Sequence, residues 1–199
     1  MSNVVLFHSA LGLNDGMRAM AQVLEDEGHR VFIPDYYEGR TFDSAEEGTA
    51  HRDEVTFPVL AQRASAALDE LPAEVRDARL VFGGFSLGAA IAQSMGKRDP
   101  RAAGALLFHA GGVPKLTSWQ ESAPLQIHHS VDDPWIDGGA PELLVESAAR
   151  AGANAAHFVY PGAGHLFADP TNPEYDPVQA GVLWQRVLAF LGSEATDKA

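Results

Sequence analysis

A strand that must become a helix within about one residue leaves few folds open to a chain, and residues 80–92 demand that turn. Leu80-Val81-Phe82 is an apolar run that ends in Gly83-Gly84. Phe85 and Ser86 follow, then Leu87-Gly88 and the compact stretch Ala89, Ala90, Ile91 and Ala92. Ser86 is therefore flanked two residues away on each side by glycine. A side chain at either flank of so sharp a turn would collide with its neighbours. The serine is expected in a strained backbone conformation. Its hydroxyl would project at a helix start, where unsatisfied N–H groups favour a developing negative charge. A bland alternative, a strand–turn–helix with an incidental serine, fits these residues alone.

The rest of the chain repeats the alternation. Strands are expected at Val4–His8, Arg30–Pro34, Arg79–Phe82, Gly104–His109, Leu125–Ser130 and Ala156–Tyr160. Between them, Met17, Met20, Ala21 and Leu24 form one helical face, capped by Asn14 or Asp15 and ended by Gly28. Phe57, Leu60, Ala61, Ala64, Leu68 and Leu71 form another, closed by Pro72. Further helices are expected after Ser86 to about Lys97, over Glu142–Arg150 and over Pro177–Leu191. Residues 35–50 read as a polar loop, and Ala110-Gly111-Gly112 as a turn. Alternating strands and helices imply an α/β fold with a mostly parallel, doubly wound sheet of about six strands between helical layers. The 199 residues suffice for one such domain, placed at 1–192, with 193–199 a disordered tail.

Composition narrows the partners. A formal charge of −13 argues against nucleic acid and anionic membrane surfaces. With no cysteine there is no disulfide framework, thiolate nucleophile or cysteine metal site, and no metal or cofactor is expected. Met1-Ser2-Asn3 leads straight into an apolar run without a basic region, so no signal peptide is read, and no apolar run is long enough to span a bilayer. A cytoplasmic monomer or homodimer is the default.

In such sheets reactive groups gather beyond the carboxyl ends of the strands. His8-Ser9-Ala10 follows the first strand, Asp35-Tyr36-Tyr37 the second, Ser86 the third, His109 ends the fourth, Asp132-Asp133 follows the fifth, and Gly162-Ala163-Gly164-His165 the sixth. A hydroxyl, a carboxylate and an imidazole thus fall at one edge in the order Ser–Asp–His, the order of α/β-hydrolases, in which GxSxG is the nucleophile elbow. Serine needs a neighbouring base, imidazole can carry the proton, and a carboxylate fixes its tautomer. The assigned roles are Ser86 nucleophile, His165 base and Asp133 acid, with Asp132 the alternative acid. Of the other histidines, His8 and His109 lie at the same edge. His29, His51, His128, His129 and His157 read as structural. Leu87 N–H and Ala10 N–H are the candidate oxyanion donors.

Taken together, these stretches resemble the dienelactone hydrolase family. The resemblance rests on Ala10-Leu11-Gly12-Leu13-Asn14, Pro34-Asp35-Tyr36-Tyr37, Gly84-Phe85-Ser86-Leu87-Gly88-Ala89, His129-Ser130-Val131-Asp132-Asp133-Pro134-Trp135-Ile136 and Tyr160-Pro161-Gly162-Ala163-Gly164-His165-Leu166-Phe167-Ala168. It implies a three-layer α/β-hydrolase fold without a cap domain and a triad of Ser86, Asp133 and His165. Three positions depart from the family pattern. Serine replaces its cysteine nucleophile. Ser9 stands where it has glutamate. Asp169 stands where it has a substrate-gripping arginine, and a carboxylate there would repel an anionic lactone. Arg40 lies near the place of a second such arginine. Leu11, Tyr36, Tyr37, Arg40 and Trp135 are the candidate substrate-binding residues. The expected activity is cleavage of a small carboxylic ester or lactone through an acyl-enzyme. The rivals are a non-catalytic binding module on the same fold, and thioester or amide hydrolysis by the same triad.

Overall fold

A computed structural model describes residues 1–109, 119 and 123–196, with side chains to 193. The described residues form a six-stranded sheet: β1 (Asn3–Phe7), β2 (Arg30–Phe32), β3 (Leu80–Phe85), β4 (Ala102–Phe108), β5 (Leu125–Ser130) and β6 (Ala155–Tyr160). The order is β2-β1-β3-β4-β5-β6, and every pairing is parallel. Successive side chains of a strand point to opposite faces. Val5 and Phe7 therefore join one core, and Val4 and Leu6 the other. The central strands β3, β4 and β5 are buried throughout; β3 and β4 read as continuous apolar runs, as parallel strands covered on both faces do, while β5 carries Gln126, His128, His129 and Ser130 inside.

Helices α1 (Asp15–Asp26) and α7 (Pro177–Thr196) cover one face through Met17, Met20, Leu24, Leu183 and Val187. On the other face lie α3 (Phe57–Ala67), α5 (Leu87–Arg98) and α6 (Ala140–Arg150), through Leu60, Ala64, Ile91, Ala92, Leu144 and Ala148. Asn14 caps α1, its side chain accepting from Met17 N at 2.9 Å.

Three segments differ from the sequence reading. Residues 45–50, expected as the end of a loop, instead begin helix α2 (Ala45–Val55), capped by Ser44, whose hydroxyl accepts from Glu47 N. Pro72 does not simply end a helix. A 3-10 turn at Leu68–Glu70 intervenes, and Pro72 then caps the short α4 (Ala73–Arg76). Helix α7 runs on to Thr196, past the boundary expected at 192. The turn expected at residues 110–112 lies outside the described residues, as do residues 197–199 of the expected tail. No helix among the described residues is long and apolar enough to cross a membrane.

Three of the buried histidines, His8, His109 and His128, are kept from taking up a proton by their burial, and this makes stability depend on pH. Loss of solvation holds His8 at about 4 and His128 at about 3, and drives His109 well below its ordinary value. Above pH 6.5 these rings are neutral whether the chain is folded or not. Below it the unfolded chain takes up protons that the folded chain refuses. Stability should therefore fall by roughly 1 kcal/mol per pH unit for each ring, until the folded groups themselves titrate. Thermal melts followed by circular dichroism from pH 7 to pH 4.5 should show Tm dropping steadily. A Tm unchanged over that range would mean that the rings do not stay neutral inside.

Candidate active site

Ser86 occupies the residue between β3 and α5 with φ 54° and ψ −112°. That conformation is unfavourable for a side-chain-bearing residue and is held from several sides. Ser86 N–H donates to Phe108 O at 2.8 Å, and Ala89 N–H donates to Ser86 O at 2.9 Å. A Cβ at Gly84 would fall on the Gly88 carbonyl, and one at Gly88 on the carbonyls of Phe7 and His8. The glycines are needed because backbone meets backbone there.

His165 lies across from the serine. Ser86 Oγ donates to His165 Nε2 at 2.8 Å, and His165 Nδ1 donates to Asp133 Oδ2 at 2.8 Å. This polarity follows from chemistry, since an ionised carboxylate can only accept. The Asp133 side chain is wholly buried, and its Oδ1 accepts from Trp135 N at 2.9 Å. Asp132 is exposed and contributes its N–H to Gly162 O, so of the two aspartates only Asp133 meets the imidazole.

Two groups that sequence reasoning missed fix the histidine loop. Ser130 Oγ donates to Gly164 O at 2.7 Å. Glu174 Oε2 accepts from both His165 N and Leu166 N, at 2.9 and 3.0 Å. Ser130 closes β5 and could have been suspected from its place at the reactive edge. Glu174, nine residues past the histidine in an irregular segment, gives no signal in sequence.

The serine opens into a cavity of about 50 Å³. Ser9, Ala10 and Leu11 form one wall, Leu87 the base, and Trp135, His165 and Leu166 another wall. The helix read as loop supplies the roof, through Ala45, Thr49 and Arg52. Leu11 and Trp135 thus line the site as expected, with the Trp135 ring centroid 5.7 Å from that of His165. Tyr36, Tyr37 and Arg40 do not. Tyr36 and Tyr37 are fully buried behind the Ser9 wall, packed on His8, and Tyr36 OH donates to His8 O. Arg40 is exposed and not among the lining residues. Asp169 is also turned away. Its Oδ1 accepts from Thr171 N and Thr171 Oγ, both at 2.8 Å, and it borders a separate groove beyond Leu11.

The remaining histidines have other surroundings. His109 is buried with φ 56°, edge-on to Phe167, and its ring centroid is 6.2 Å from that of His165. His128 bonds Tyr160 OH and Gln126, His129 bonds His157, and His51 packs on Tyr37 inside α2. Ser2 N–H donates to His29 Nδ1. Among the described residues no group of three or more His, Asp or Glu is arranged to hold a metal.

Comparison with known proteins agrees with this architecture. The sequence model of the dienelactone hydrolase family matches residues 1–195. A provisionally named carboxymethylenebutenolidase of Saccharolobus solfataricus is 24% identical over 94% of this chain and 88% of its own. Among solved structures, a dienelactone hydrolase-like promiscuous phosphotriesterase from metagenomic libraries superposes with a TM-score of 0.81. It is 22% identical, covering 97% of this chain and 86% of that one. A thermophilic esterase from Thermogutta terrifontis superposes with a TM-score of 0.70 at 16% identity, over 96% of this chain and 83% of its own. At these identities the superpositions speak for a shared fold.

Proposed function

Because the chain belongs to the dienelactone hydrolase family and is a hydrolase of the α/β type, we propose that it cleaves small carboxylic esters or lactones with Ser86 as nucleophile. The unbroken line from Ser86 Oγ through His165 to Asp133, with both hydrogen bonds at 2.8 Å, carries this reading. Ser86 Oγ attacks the ester carbon while its proton passes to His165 Nε2. Buried Asp133 stabilises the imidazolium and keeps Nδ1 as donor. The carbonyl oxygen becomes an oxyanion and takes hydrogen bonds from Leu87 N–H, at the first residue of α5, and from Ala10 N–H. As the tetrahedral state collapses, the C–O bond to the alcohol breaks and His165 Nε2 returns the proton to it. Water then repeats the sequence on the acyl-serine and frees the acid.

The cavity bounds the substrate. About 50 Å³ leaves room for roughly two water-sized groups, which suits a short acyl chain. Asp169, in the position of the family's arginine, lines another groove, so it neither grips nor repels a substrate carboxylate directly. Thioesters and amides pass through the same kind of tetrahedral state, so the residues themselves do not separate them from esters.

The test is a fluorophosphonate probe, which phosphonylates only an activated serine. Native protein should gain one probe mass on the peptide holding Ser86, and heat-unfolded protein none. Folded protein that stays unlabelled would favour a binding module over an enzyme.

A further inference from the structure

We propose that His8 is a positioning residue that aims the Ala10 N–H at the oxyanion, an inference that rests on the role given to Ala10 above. The Ser9–Ala10 peptide is planar and trans, so its carbonyl and its N–H point in opposite directions and can only turn together. Whatever holds Ser9 O therefore sets the direction of Ala10 N–H. Two donors hold it: Gly12 N at 3.1 Å and His8 Nδ1 at 2.8 Å. The proton must sit on His8 Nδ1, because a lone pair there would face those of the carbonyl.

His8 itself has no room to turn. It is 1% exposed and stacks on Tyr36 with ring centroids 3.8 Å apart and planes 8° from parallel. Tyr37 meets it edge-on at 4.9 Å, and Tyr36 OH holds its carbonyl. The two tyrosines are thus a shelf for the histidine and not a wall of the pocket. The neighbouring amides are already committed, Leu11 N to Ser9 Oγ and Gly12 N to Ser9 O. Among the described residues none accepts from Ala10 N–H, which is left for substrate. Donation into Ser9 O also polarises the peptide and makes that N–H a stronger donor.

The test separates the donor from the packing. His8→Phe keeps a flat ring on Tyr36 and removes the donor. His8→Asn restores an N–H near the place of Nδ1. With p-nitrophenyl acetate, His8→Phe should lower kcat by about 10- to 100-fold, with KM within about twofold. The Ki of a trifluoromethyl ketone, whose adduct on Ser86 carries an oxyanion, should rise by the same factor as kcat/KM falls. His8→Asn should regain most of the lost rate. If folded His8→Phe keeps wild-type kcat and Ki, or loses rate with Ki unchanged, the proposal is overturned while the role of Ser86 stands. A folded His8→Asn no faster than His8→Phe overturns it too. If wild-type protein neither hydrolyses esters nor takes up fluorophosphonate, the reading of the site fails first and this inference with it.

Discussion

Ser86→Ala is expected to lower kcat toward p-nitrophenyl acetate by about 10⁴- to 10⁶-fold, with the fold intact. Serine and histidine act as a unit, so removing one member forfeits nearly all of the covalent route. What survives is the rate from binding and the two proposed oxyanion donors. A companion variant separates chemistry from strain. Ser86 is held at φ 54°, a conformation that costs on the order of 1–3 kcal/mol for a residue with a side chain and little for glycine. Ser86→Gly should therefore be as inactive as Ser86→Ala yet melt several degrees higher. Near wild-type esterase activity in Ser86→Ala would end the assignment, and a Ser86→Gly that melts below Ser86→Ala would end the account of strain.

Gly88→Ala is expected to destabilise the protein by about 3–5 kcal/mol, a drop in Tm of roughly 10 °C for a domain of this size. One added methyl would meet the main-chain carbonyls of Phe7 and His8, which cannot step aside as a side-chain tip can. Helix α5 would have to lift away from β1, taking Leu87 from its place in the cavity base. Activity should fall together with Tm, whereas Gly181→Ala, which meets open space on the exposed side of α7, should leave activity unchanged and raise Tm by about 1–3 °C. Differential scanning calorimetry of the two variants beside wild type decides the matter, and an unchanged Tm in Gly88→Ala would refute the close-approach argument.

The parts legible in the sequence are those where composition and local geometry ask for the same thing. The elbow could be read because two glycines mark the approach of one backbone to another. Strands β3 and β4 could be read because they are apolar without interruption. Helix α2 escaped because it has no apolar stripe, and the only buried residues in it are Gly48 and His51. It is held on the domain by the close seat of Gly48, the His51 ring on Tyr37 and Phe42, and Val55 at its last turn, and these leave no periodic trace. Tyr36 and Tyr37 follow a strand at the reactive edge, where position suggests a pocket lining. Their inward direction depends on His8, nearly thirty residues earlier in the chain. Glu174 was invisible for the same reason, since its partners are the amides of His165 and Leu166 across an irregular loop.

The seat of α2 carries a consequence for what the enzyme can accept. At Gly48 the helix lies against the carbonyl of Ala10, so close that no side chain would fit between them. The ceiling of the chamber and the turn proposed to steady the reaction's negative charge are thus in direct contact. Lifting the ceiling to admit a bulkier acid also loosens that turn. On the role proposed for Ala10, breadth of diet and speed of turnover would oppose each other, and a variant selected for larger esters would have to break that link before it gained from the added space.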